Sequence, residues 1–146
     1  MKNTFLPAAI ILSTSHVMAA DEPISLTLHI EGGEPSTGQV IATLFASEGS
    51  YMKEPSAELA TKVDARGNAT IIFERQALGE YAVSVIYDKN LNGNLDTGFF
   101  GIPKEKIGFS NNAKPRMGPA SYSLAKFTLT HDATEMTVRL GRASRN

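Results

Sequence analysis

The chain has 146 residues, a formal net charge of −1 and no cysteine. That length predicts one domain, and the missing thiols exclude disulfides, thiolate metal sites, a lipid-modified N-terminal cysteine and a cysteine nucleophile. Residues 21–96 carry twelve acidic and five basic side chains and residues 97–146 three and eight, but the basic ones are scattered singly without interleaved aromatics, so no nucleic-acid partner is expected.

The first segment has the anatomy of a signal peptide. Lys2 supplies a positive start, residues 5–12 form a short apolar run, and Val17 and Ala19 suit the positions three before and one before a cleavage point. A signal peptide over residues 1–19 is predicted, with a mature domain over residues 20–146 that starts at Ala20 or, one residue on, at Asp21. A periplasmic or secreted location follows. The apolar run is too short for a bilayer, and nothing else approaches the roughly 20 apolar residues a span needs, so the protein is not expected to be membrane-spanning.

Beyond that segment the pattern has a period of two. Ile24, Leu26, Leu28 and Ile30 alternate with polar residues, which predicts a half-buried strand. Gln39 to Phe45 is apolar on both faces and predicts a central strand. Residues 46–56, with Gly49 and Pro55, form a looser segment. Residues 59–63 and 69–73 flank a turn with Gly67 at its left-handed position and predict a β-hairpin. Tyr81 to Tyr87 is the strongest strand, with Val83 and Val85 on its core face. Tyr81 itself either tucks its hydroxyl against a neighbouring connection, as in a tyrosine corner, or is an ordinary cross-strand aromatic. Residues 122–129 and 136–140 alternate again. About seven short strands and no helical period predict an all-β fold, a Greek-key β-sandwich of immunoglobulin-like or prealbumin-like type.

Between residues 97 and 121 no strand is predicted. A connection that long is uncommon without a function. It holds Phe99, Phe100, Ile102, Ile107, Phe109 and Met117, which makes it too apolar for disorder, so an ordered loop across one end of the sandwich is expected.

The sharpest motif is Asp88-Lys89-Asn90-Leu91-Asn92-Gly93-Asn94-Leu95-Asp96. It sets oxygen side chains of Asp88, Asn90, Asn92 and Asp96 at loop positions 1, 3, 5 and 9, with glycine at 6 and the Asn94 carbonyl at 7. Calcium takes six to eight hard oxygen ligands, and the glycine permits the turn that lets them converge. Phe99 replaces the bidentate glutamate of an EF-hand, so Ca2+ binding should be weak, in the range of roughly 10⁻⁴–10⁻³ M. Glu105 would complete the sphere if the long loop folds back. The alternative is a plain turn, since Asn-Gly between strands is a turn signal and Asx side chains bond their own backbone.

Catalysis finds no motif: no G-x-S-x-G, H-E-x-x-H or phosphate loop occurs, and His29 and His131, the two histidines left after processing, have no evident partner. The protein is not expected to be an enzyme, although a paired-carboxylate hydrolase is compatible with the sequence because such pairs meet only in the fold.

The run Gly79-Glu80-Tyr81-Ala82-Val83, the D-x-N-x-N-G-x-x-D loop, Phe100-Gly101-Ile102-Pro103 and Gly108-Phe109-Ser110-Asn111-Asn112, in that order, resembles a bacterial family of small exported proteins, domain-of-unknown-function family 2141. Lys104-Glu105-Lys106-Ile107 matches its pattern loosely. The resemblance runs from the Leu26 strand to about Phe127. It implies export and a sandwich fold, brings no activity, and marks residues 88–112 as a signature surface. The functional expectation is therefore an exported binding module for an unknown protein or small-molecule ligand. Its candidate surface comprises Phe99, Phe100, Glu105, Phe109, Asn111 and Asn112 beside the loop of Asp88. The rival expectation is a structural or envelope-assembly protein without metal.

Overall fold

The computed structural model describes residues 22–143; the signal-peptide assignment lies outside them. Within them eight strands form: β1 (Ile24–Glu31), β2 (Gln39–Phe45), β3 (Ala57–Lys62), β4 (Ala69–Gln76), β5 (Gly79–Asp88), β6 (Ile107–Phe109), β7 (Phe127–Leu129) and β8 (Glu135–Arg139). One short α-helix, α1, spans Tyr122–Ala125, and single 3-10 turns form at Phe99–Gly101 and Ser110–Asn112. Among the described residues no helix is long and apolar enough to cross a membrane.

Alternation sorts the side chains as expected. Leu26, Leu28 and Ile30 of β1, Ile71 and Phe73 of β4, and Val83, Val85 and Tyr87 of β5 meet in one core between two sheets. Each fully buried aliphatic or phenyl side chain contributes about 1.5–3 kcal/mol there. One sheet has three strands in the order β4-β1-β8; the other has the order β3-β2-β5-β6, with β7 also on β5. The all-β sandwich is thus the observed architecture. β1 and β8 run parallel, with Thr27 opposite Glu135 and Ile30 opposite Val138.

β2 is central, and every residue from Val40 to Phe45 is buried. A smaller cluster of Ala82, Phe109, Ala120, Tyr122 and Ala125, with Tyr51 against them, packs separately from this core. Tyr51 stands edge-on to Phe45 at 5.3 Å and to Tyr122 at 5.5 Å. Its hydroxyl donates to the Ala120 carbonyl at 2.8 Å. Burial pushes the Tyr51 hydroxyl up to about 12; burial, then the bond to Glu80, does the same for Tyr122.

The structure corrects four expectations. β3 and β4 are no hairpin: β3 pairs with β2 and β4 with β1, in different sheets. Period two identifies strands but not their partners, and the turn between these two is an arch. The Asp64 carboxylate accepts from the Arg66 and Asn68 amides. Gly67, at φ +79°, brings its carbonyl to the Gly33 amide, and a Cβ on Gly67 would lie 2.3 Å from the Gly33 oxygen. Residues 122–125 are helical rather than extended, because Tyr122 and Ala125 face the second cluster at helical spacing. The long connection contains β6, and it lies across the outer face of the larger sheet rather than one end. Finally, His29 does have a partner, Glu135, at 3.1 Å.

Both readings of Tyr81 hold. Its hydroxyl donates to the Ala77 carbonyl at 2.8 Å, closing a tyrosine corner. Its ring also lies opposite Phe127 across the β5–β7 pair.

One edge of β5 is shared by β7, opposite Gly79 to Tyr81, and β6, opposite Ser84 to Ile86. Val83 falls in the gap, where its amide would lack a strand partner. The buried Ser110 hydroxyl accepts that N–H at 2.9 Å and donates to the Ala125 carbonyl, so the gap carries no orphaned donor.

Candidate functional site

β5 ends at Asp88, whose side chain is fully buried although it opens the polar loop. The β2–β5 register sets Gln39 opposite Asp88. The Gln39 amide donates to Asp88 Oδ2 at 2.7 Å, and the Asn92 and Gly93 backbone amides donate to Oδ1 and Oδ2 at 3.1 and 2.8 Å. Burial by itself would raise the Asp88 carboxyl; the Gln39 and backbone donors outweigh it and hold the group below the usual carboxylate range.

The rest of the loop is bonded to itself. Asn90 and Asn92 donate their side-chain amides to the two Asp96 oxygens at 2.7 and 2.9 Å. The Asn90 and Asn92 carbonyl oxygens accept from the backbone two residues on, as Asx turns do. Asn94 donates to the Asn92 carbonyl. Glu105 does fold back: its carboxylate accepts from the Lys89 amide at 3.0 Å and the Asp96 amide at 3.1 Å, joining the two ends of the loop. Among the described residues no three His, Asp or Glu side chains form a group that could hold a metal ion. The loop's five candidate ligands therefore stand together, with the side-chain oxygens of Asp88, Asn90, Asn92 and Asp96 turned to N–H donors.

The residues that follow behave differently. Phe99 and Phe100 are 92 % and 90 % exposed, and Met117 is fully exposed. Phe100 (φ 61°) and Met117 (φ 52°) both hold the left-handed backbone region, which costs a bulky L-residue about 1–2 kcal/mol. Beneath them, between this connection and the outer face of β5 and β6, lies a cavity of about 480 Å³ lined chiefly by Met52, Ile86, Leu95, Phe100, Ile102 and Met117. Its size and apolar lining are those of a small-molecule site. Phe99 lies outside it, on a shallower depression with Phe100 and Lys104.

Three candidates of the surface turn out to be supports. Phe109 is buried and forms part of the cavity floor. Asn111 donates to the Leu124 and Lys126 carbonyls, and Asn112 accepts from the Arg139 amide at 2.8 Å. Both asparagines hold positive φ, a conformation they tolerate better than most residues. Gly108 completes the group, since a Cβ there would lie 2.7 Å from the Val138 side chain. The G-F-S-N-N run thus braces the cavity rather than forming its mouth. Met52, Ile86 and Leu95 were not legible as site residues, because they lie far apart in sequence and only the β5 register and the loop path unite them.

No curated protein and no solved structure matches the chain. The model of a family described as uncharacterized protein conserved in bacteria, domain-of-unknown-function family 2141, matches residues 28–137. The chain belongs to that family.

Proposed function

We propose that the protein is an exported β-sandwich binding module that takes an apolar ligand in the cavity over β5 and β6. The observation that carries this reading is the cavity itself: about 480 Å³, apolar, and overhung by exposed Phe100 and Met117. No catalytic role is assigned. Titration with N-phenyl-1-naphthylamine, an apolar fluorescent reporter, tests it. Saturable binding that Ile86→Ser weakens roughly tenfold, with unchanged circular dichroism, is the expected result. Absence of saturable binding, or equal binding by Ile86→Ser, overturns it. Export is tested separately: mass spectrometry of material recovered outside the cytoplasm should find a chain beginning at Ala20 or Asp21.

A second reading concerns the polar loop. The arrival of Glu105 at both loop ends favours a weak structural Ca2+ site built from Asp88, Asn90, Asn92, Asn94 and Asp96. The ion would have to replace or share the N–H donors now on Asp88, Asn90, Asn92 and Asp96. Calcium at several millimolar should then raise the melting temperature while magnesium, which demands a tight octahedron, should not. Equal melting temperatures in calcium and in chelator leave the loop a turn.

A further inference from the structure

Three apolar side chains protrude from the connection after the polar loop, and basic side chains outnumber acidic ones around them. Phe99, Phe100 and Met117 are each at least nine-tenths exposed. From Lys106 to His131 the chain has no aspartate or glutamate. Lys104 lines the same depression as Phe99 and Phe100. Lys114 and Arg116 flank Pro115, which lines the cavity with Phe100 and Met117. Arg142 shares a smaller hollow with Lys114 and Pro115 and feels Glu34 at long range. None of Lys104, Lys114, Arg116 and Arg142 forms an ion pair among the described residues. The nearby carboxylates are engaged elsewhere: Asp96 accepts from Asn90 and Asn92, and Glu105 from two backbone amides.

We infer that this face docks on the surface of a lipid bilayer rich in anionic headgroups, with Phe99, Phe100 and Met117 entering the interface and the four basic side chains meeting the headgroups. A ligand held in the cavity would leave Phe99 in water, because Phe99 does not line the cavity. A bilayer covers all three protruding side chains at once, and its charge complements the basic flank. The left-handed backbone at Phe100 and Met117 agrees with this, since strain at two exposed apolar residues marks a segment held for contact rather than for stability. Such binding is interfacial and needs no spanning segment. Each basic side chain near an anionic surface adds roughly fivefold to partitioning.

The inference rests on the reading of this region as a binding surface, and the test separates the two. Protein recovered by export, its N-terminus defined by mass spectrometry, is sedimented with vesicles of phosphatidylcholine alone or of phosphatidylcholine with phosphatidylglycerol. Binding to the anionic vesicles that falls with salt is expected. Phe99→Ser should weaken it roughly tenfold, and Lys114→Ser with Arg116→Ser roughly 25-fold, while N-phenyl-1-naphthylamine binding by Phe99→Ser is unchanged. Equal affinity for both vesicle types, or a Phe99→Ser variant that binds like the native chain, overturns the inference. So does self-association without vesicle binding that Phe99→Ser abolishes, which would make the face a contact between copies. Reporter binding without vesicle binding leaves the cavity reading standing and the bilayer inference lost.

Discussion

Two neighbouring stretches of the chain answer the same problem in opposite ways. Residues 88–96 are mostly polar, yet their oxygens and amides bond to one another, to Gln39 or to Glu105. Residues 99–117 are rich in apolar side chains, yet three of the largest stand in solvent. A polar loop whose groups bond one another, Gln39 and Glu105 is braced by the domain itself. An apolar loop that leaves side chains exposed offers them to a contact outside the domain, as inferred above. The difference teaches that residue type alone does not tell a site from a scaffold; the partners of each group do.

The largest effect expected from that comparison is at Asp88. Asp88→Ala orphans the Gln39 amide and two backbone donors in a buried place and should cost roughly 3 kcal/mol or more in denaturant titrations. Phe99→Ser, in the other stretch, should stay within about 0.5 kcal/mol. Equal losses would break the comparison. Asp88→Asn should also destabilise without any ion, because its new N–H2 would face donors.

Acid sharpens the same point. Asp88 is held below its ordinary value of 3.8, so its contribution is present in full above that pH and is lost as pH falls through its lower folded value. Asp88→Asn should flatten this acid limb of the stability profile. A shallower limb should remain, because Glu34, Asp64 and Glu80 are also held low. An unchanged profile would show that Asp88 is not the group responsible.

Ser110→Ala should cost about 1–3 kcal/mol, the penalty of leaving the Val83 amide unpaired in the interior. A modest further change has the opposite sign. Met117→Gly should stabilise the domain by about 0.5–1 kcal/mol, since glycine holds φ 52° without strain but brings more freedom to the unfolded chain. A loss of stability there would mean that Met117 packs inward in solution, and the contrast between the stretches would weaken.

Most of the sandwich was legible because its signal is local. Leu26, Leu28 and Ile30 announce a core face within one strand, and Val40 to Phe45 announce a central one. Pairing was not legible, since the same residues would serve a β3–β4 hairpin or an arch. The polar loop was legible as a motif but not as an arrangement, because Gln39 reaches Asp88 through strand register alone. The surface was half legible. Of the three phenylalanines in the candidate surface, Phe99 and Phe100 are exposed, but Phe109 has the same side chain and is buried on β6. A phenyl ring in a sequence does not say which side of a sheet it will meet until the edge strand beneath it is recognised.

The parallel pairing of β1 with β8 has a consequence for assembly. Thr27 to Glu31 cannot find their second neighbour until Glu135 to Arg139 have left the ribosome, and without β8 the three-stranded sheet is reduced to β1 and β4. Closing so long a loop places the domain among slow, late-completing folders, in milliseconds to seconds rather than microseconds. Until β8 emerges, β1 therefore keeps one edge unpaired. Removing β8 should therefore yield no smaller folded core but a chain that never closes.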